Sequence, residues 1–110
     1  MPADTNPHGD IFGGWLISLM DLAAGTVAMR VAKGRAVTAA MDGMQFHAPV
    51  AVGDEVCVYG HLVSTGRTSM TIAVEAWRRE RDEDRSAKVT EANFTFVAID
   101  DTGRPRPIDV

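Results

Sequence analysis

Between Ile11 and Met29 the only formal charge is Asp21. Its neighbours at helical spacing are Ile17, Leu22, Ala24 and Gly25, and only Ser18 is polar within one turn. A buried carboxylate is costly unless it is paired or used. Desolvation would push its pKa upward, which suits a general base. An Asp bonded to a neighbouring backbone amide fits the same residues. Gly13-Gly14 precedes it by about two turns. The opening N–H groups of a helix lack partners and lie at the positive end of its dipole. Glycine lets a ligand oxygen approach them, so the pair is a candidate oxyanion site. Tight packing against a strand would also call for glycine. Asn6, in the Pro/Gly-containing loop that feeds this helix, is placed either to orient a water or a carbonyl or simply to make a turn.

The remaining reactive types form no pattern. His8, His47 and His61 lack metal-ligand spacing and read as loop or strand histidines, so no metal site is expected. Asp10 and Asp42 read as turn and bulge residues. Cys57, the one cysteine, lies in an alternating strand with no base beside it and cannot close an intrachain disulfide. No Gly-rich phosphate loop is present.

Positioning these groups requires a helix and a sheet. Trp15, Leu16, Leu19, Met20, Ala23, Val27 and Val31 recur at steps of three and four, which predicts a helix over about Gly14–Lys33. Ile17, Leu22, Ala24 and Ala28 fill most of its other face, so other structure should wrap it. Arg30 and Lys33 suit the C-terminal end of the dipole, and Gly34 is the expected stop. Everything afterwards reads as strand. Val37, Ala39 and Met41 alternate on one face, then Met44 and Phe46 in the other phase, which predicts a bulge at Asp42-Gly43. Ala48–Asp54 is a turn region and Glu55–Ser64 a strand. Thr65-Gly66-Arg67 turns into a strand alternating through Met70, Ile72, Val74 and Ala76. Arg78–Arg85 is an unbroken run of mixed charge, expected at a solvated hairpin tip. Ala87–Ile99 is the last strand, and a Pro-rich tail follows. The short links imply antiparallel hairpins. The fold class is therefore α+β, one long helix wrapped by a curved antiparallel sheet, with residues 1–110 as a single domain. Its open edges and partly covered face predict self-association.

Composition narrows the function classes. The chain has 110 residues, and 45% are apolar, too many for a disordered chain. Eleven basic and fifteen acidic residues give 11 − 15 = −4, which argues against a general nucleic-acid binder. A membrane span is disfavoured by the central Asp21 and by Gly13, Gly14, Ser18, Gly25 and Thr26. Met1-Pro2-Ala3-Asp4 lacks the basic and apolar regions of a signal peptide, and a cytoplasmic, reducing location is expected.

The stretch from Pro2-Ala3-Asp4-Thr5-Asn6-Pro7-His8-Gly9-Asp10 through Ile11-Phe12-Gly13-Gly14-Trp15-Leu16, continuing at Ser18-Leu19-Met20-Asp21, closely resembles the YciA-type acyl-CoA thioester hydrolases of the hotdog fold. The resemblance continues at Gly34–Thr38, Gly43–Phe46, Pro49–Cys57 and Phe94–Ala98. It implies hydrolysis of acyl-CoA to a free acid and CoA, without a cofactor, by homodimers assembled as a trimer of dimers. It places the catalytic carboxylate on Asp21, the helper amide side chain on Asn6, and the oxyanion amide at Gly13 with Gly14 beside it. Chains of this type usually begin with a further strand ahead of the Pro-Ala-Asp motif, so one sheet edge is expected to lack a strand here.

These roles carry a geometric consequence. Eight helical residues separate Gly13 from Asp21, about 12 Å along the axis. One thioester carbonyl cannot be served by both from a single chain. The site must then join Gly13 of one subunit to Asp21 of another, across antiparallel helices. Asp21 would deprotonate a water, or attack directly to form an anhydride. A thiolate with a pKa of about 8.5 leaves without a dedicated acid. Arg30, Lys33 and Arg35 at the helix end, or Arg67 with Thr68 and Ser69, are the candidates for holding the phosphates of CoA. The competing readings are a hotdog dehydratase or hydratase, which would want a histidine in the helix or its entry loop, and a non-catalytic acyl-CoA-binding protein.

Overall fold

A computed structural model describes residues 13–48, 50, 53–79 and 86–108. The expected loop over Met1–Phe12, with Asn6, His8 and Asp10, lies outside the described residues. So do Pro49, Ala51 and Val52 of the turn region and residues 80–85 of the charged hairpin.

Helix α1 spans Gly13–Ala32. Strands β1 (Ala36–Phe46), β2 (Glu55–Thr65), β3 (Ser69–Arg79) and β4 (Ser86–Ala98) form one antiparallel sheet in the order β1-β4-β3-β2. The β2–β3 and β3–β4 links are hairpins, as their lengths predict. The β1–β2 link is not. It carries the chain from one edge of the sheet to the other, and Val50 on the way is buried in the core.

The core lies between α1 and one face of the sheet. Met70, Ile72, Val74 and Ala76 of β3 alternate inward, together with Val89, Phe94, Phe96 and Ala98 of β4. Fully burying side chains the size of Ile72 or Phe94 stabilises by about 1.5–3 kcal/mol each. Against them α1 lays a single stripe, Leu16, Met20, Ala24, Ala28 and Ala32. Alanine at three successive turns lets the helix settle close to the sheet. Within one chain α1 is therefore covered along one face rather than all round. Leu22 is 69% exposed and Met29 49%. A four-stranded sheet is too narrow to enclose a helix, so these apolar flanks face outward.

The helix stop also differs from expectation. Lys33, not Gly34, adopts the left-handed conformation (φ 56°), and the Gly34 N–H donates to the Met29 carbonyl at 3.2 Å, a Schellman closure. Gly34 also makes room for a side chain from the C-terminal segment. A Cβ there would stand 2.7 Å from the Arg106 guanidinium. That guanidinium donates from Nη2 to the Ala32 carbonyl and from Nε to the Ile99 carbonyl, each at 2.9 Å. It caps the helix from the far end of the sequence. The Asp100 carboxylate sets up this return by accepting from Thr102 Oγ1 (2.6 Å), the Thr102 N–H (2.8 Å) and the Arg104 N–H (3.0 Å). These bonds, that of the Thr102 hydroxyl foremost, hold the Asp100 carboxyl below its ordinary value of 3.8.

Strand β1 breaks step with β4 twice. One shift lies between Asp42 and Gln45, where Gly43 has φ 69°, at the predicted bulge. The other lies between Thr38 and Ala40. Thr38 opposes Phe96 and Met41 opposes Phe94, and both partners point into the core. An unbroken pleat would put residues three apart on opposite faces. The expected grouping of Val37, Ala39 and Met41 on one face therefore fails, because Ala39 is the extra residue. At the far end of β1 the buried Thr90 hydroxyl of β4 donates to the Gln45 carbonyl, so the only buried polar side chain among the described residues is satisfied.

Candidate active site

Asp21 follows Met20 of the buried stripe, about 100° further round the helix. That places it on the flank of α1, half-buried rather than sealed in the core. Its Oδ1 accepts a hydrogen bond from the Thr38 hydroxyl of β1 at 2.7 Å. The partner is thus a side chain from a distant strand, not the backbone amide that was the alternative reading. Ser18, the polar neighbour in sequence, turns its hydroxyl back to the Gly14 carbonyl at 3.1 Å. Thr38 belongs to the site but received no role from the sequence. The available signal was a hydroxyl among Ala36, Val37, Ala39 and Ala40 in the first strand after the helix.

Helix α1 opens at Gly13, with no acidic side chain in its first turn. The first N–H groups of a helix have no intrahelical partner, and no side chain of the first turn compensates the dipole's positive end. A Cβ placed on Gly14 would meet nothing within 4 Å among the described residues, so none of the described strands packs tightly against this glycine. Gly13 and Asp21 remain about 12 Å apart along the axis. The structure brings Thr38 to Asp21 and leaves the glycine pair about two turns away, at the start of the same helix.

The two groups of basic candidates fall at one end of the sheet. Arg35 leads into β1 and its carbonyl accepts the Ile99 N–H at 3.1 Å. Arg67 lies in the β2–β3 turn and its carbonyl accepts the Ile108 N–H at 2.9 Å. The Thr68 carbonyl accepts the Ala98 N–H at 2.8 Å, and that of Ser69 closes the turn from Gly66 at 2.9 Å. Arg35 is three strand residues from Thr38, about 10 Å along β1. Arg30, Lys33, Arg35 and Arg67 are exposed.

A cleft of about 340 Å³ lies elsewhere, lined by Glu55, Cys57, Tyr59, Trp77 and Arg79 among others. Cys57 opposes Trp77, and their strand neighbours Val56, Val58 and Ala76 point toward the core. The cleft is therefore on the sheet face turned away from α1 and Asp21. That face is a solvated ladder in which Lys88 bridges Glu75 (3.5 Å) and Glu91 (3.0 Å), and Glu55 pairs with Arg79. His47 sits 3.5 Å from Glu91, and no group of three or more metal-ligating side chains occurs among the described residues.

A long helix laid on a curved antiparallel sheet is the hotdog arrangement. The chain belongs to the thioesterase superfamily, whose pattern matches residues 8–84. Among its relatives is the acyl-CoA thioester hydrolase YciA of Salmonella typhimurium, 49% identical over 113 residues, covering 100% of this chain and 85% of that protein. Solved structures agree. A hexameric thioesterase from Yersinia pestis superposes with a TM-score of 0.90 at 50% identity, covering 99% of this chain and 88% of that one. A hexameric hotdog fold thioesterase of Campylobacter jejuni gives 0.92 at 38% identity, covering 99% and 84%.

Proposed function

We infer that this protein hydrolyses acyl-CoA thioesters to a free acid and CoA, at a site completed by two copies of the chain. The observation that carries the reading is Asp21, held on the open flank of α1 in a chain so close to acyl-CoA thioester hydrolases. Asp21 takes the proton of a water as that water attacks the thioester carbon. The Gly13 N–H of the partner subunit, at its helix tip with Gly14 beside it, receives the developing oxyanion, and Asn6 orients the water or the carboxylate. The carbon–sulfur bond then breaks and CoA leaves as a thiolate that takes up a proton. Water and substrate suffice, so no cofactor enters. The exposed basic residues at the end of the sheet, Arg35 and Arg67 with Thr68 and Ser69, are suited to the phosphates of CoA.

The assembly follows from surfaces left open. Leu22 and Met29 on α1, with Met41 and Phe46 on edge strand β1, expose apolar area on one side of the molecule. Pairing of two copies over this side, helices antiparallel, would place each Asp21 near the other chain's helix tip. The hexamers of the Yersinia pestis and Campylobacter jejuni proteins support a trimer of such dimers.

The test is release of free thiol from acyl-CoA, read with a chromogenic thiol reagent. Wild-type protein is expected to turn over, and Asp21→Asn to lose activity by orders of magnitude while still folding, since Asn also accepts the Thr38 bond. CoA binding without turnover in the wild type would favour a non-catalytic binder. Water addition across an enoyl substrate, with the thioester intact, would favour a hydratase.

A further inference from the structure

We propose that the substrate lies along the inner face of β1 with its acyl chain over Met41, Met44 and Phe46, and that Met41 sets the preferred chain length. The inference deepens the reading of this site as an acyl-CoA hydrolase and rests on it. Its first support is the order of side chains along the strand. Thr38, Met41 and Phe46 oppose Phe96, Phe94 and Thr90 of β4, which are buried, so all three face α1. Met44 joins them, partly buried against the core. On the other side of Thr38 the strand begins at Ala36, just after the exposed Arg35. The strand thus offers a cation, a small side chain, the acid held by Thr38, and then an apolar row. Acyl-CoA presents its groups in the same order: phosphates, arm, thioester, hydrocarbon tail. From Phe96 to Thr90 the β4 ladder with β3 is unbroken over six residues, so the row reaches about 20 Å beyond Thr38.

A second support is the pair of bulges. A regular pleat running on from Thr38 would turn Ala40 and Asp42 toward α1 and Met41 away from it. The two register shifts do the reverse. Met41 comes to the inner face, and Asp42 goes to the outer one, opposite Asn93. Bulges re-aim side chains in this way. Their effect here is to clear a carboxylate from the row and put a thioether in it. Met41 is 40% exposed and Phe46 53%, although both sit on the face that elsewhere forms the core. Helix α1 leaves them uncovered. Met41 comes first after Thr38, about 7 Å along the ladder, so it meets the tail close to the carbonyl. Methionine is unbranched and polarisable, which suits it to chains of varied length. In the proposed dimer the second copy lies over this side and closes the row into a channel.

The experiment measures kcat/KM by thiol release for acetyl-, butanoyl-, hexanoyl-, octanoyl- and decanoyl-CoA. The wild type should favour octanoyl over acetyl, because each methylene buried in the row is worth about fourfold. Met41→Gln keeps the size and sets an amide against the tail, so it should lower the octanoyl-to-acetyl ratio about tenfold. Met41→Leu, apolar and of similar volume, should restore the ratio. Arg35→Gln should raise KM by a similar factor for every chain, since the phosphates are common to all. If Met41→Gln does not assemble, Met41→Phe reads the same position by filling the row, and its optimum should move to shorter chains. A ratio unchanged by Met41→Gln and Met41→Phe, in a protein that still releases thiol, overturns the proposal and leaves the hydrolase reading standing. So does a wild type that favours acetyl, or a loss that Met41→Leu fails to restore. A ratio altered by Arg35→Gln and not by Met41→Gln puts the tail at the basic end and overturns it too. No thiol release from any of these substrates overturns both readings.

Discussion

Two dead variants should make a live enzyme when their subunits are mixed. Gly13 is the first residue of α1, a position where proline is well tolerated because the N–H it removes has no intrahelical partner. Gly13→Pro therefore deletes the proposed oxyanion donor and leaves the helix start intact. Loss of one such donor costs about 10²–10³-fold in kcat, or roughly 2.7–4 kcal/mol. Asp21→Asn removes the base. With about 12 Å of helix between the two positions, the lesions of one chain fall in different sites. A mixed dimer then holds one site with both defects and one with neither. Random reassortment of equal amounts makes half of all dimers mixed, so roughly a quarter of wild-type activity should return. The assay is thiol release after dissociation, mixing and reassembly, with each variant alone as control. Two affinity tags establish that mixed oligomers have formed. Activity that stays at the sum of the parents, despite such oligomers, would refute the shared site.

Other outcomes follow from the frame that holds the site. Arg106→Ala should destabilise the protein by about 2–3 kcal/mol, because two partly buried carbonyls lose a charged donor at a helix C-terminus. Denaturant midpoints at fixed protomer concentration measure this, and Arg106→Lys should not restore it, since one ammonium cannot reproduce the fork that bridges Ala32 and Ile99. The lowered Asp100 carboxyl contributes stability above its ordinary range, and that contribution disappears as pH falls through the folded value. Asp100→Ala should therefore melt below wild type near neutrality, with the gap closing below about pH 4. A gap independent of pH would remove the carboxylate from the account.

Much of this frame was legible in the residues. The helix read from periodicity, Gly14–Lys33, is shifted by one residue from the observed Gly13–Ala32, and three strands were located within a residue or two, because alternation and three-and-four spacing are local properties. The bulge at Asp42-Gly43 was readable because the apolar phase visibly slips there. What local pattern cannot hold is which strands pair. Nothing around Phe46 or Glu55 says that β1 will join β4, so a hairpin was the natural reading. Asp21 stood out as the one charge in an apolar helix. Thr38 did not, because its significance depends on a contact with a residue far from it in sequence. Gly34 was rightly singled out as special, but its reason is room for Arg106, a neighbour that sequence order conceals. Asn6 rests on the resemblance alone.

The placement of β4 between β1 and β3 has a consequence for synthesis. Thr38 is aligned by Phe96, so among the described residues the strand that bears it has no ladder partner until β4 has been made. The hairpin of β2 and β3 can close early, since its contacts are local, whereas the pairing of β1 must wait for a distant segment and is slower for that reason. A nascent chain halted in the charged run after Trp77 would hold its helix and a hairpin but no aligned hydroxyl. Alignment of the Thr38 hydroxyl thus waits for β4, the last strand in chain order to be described.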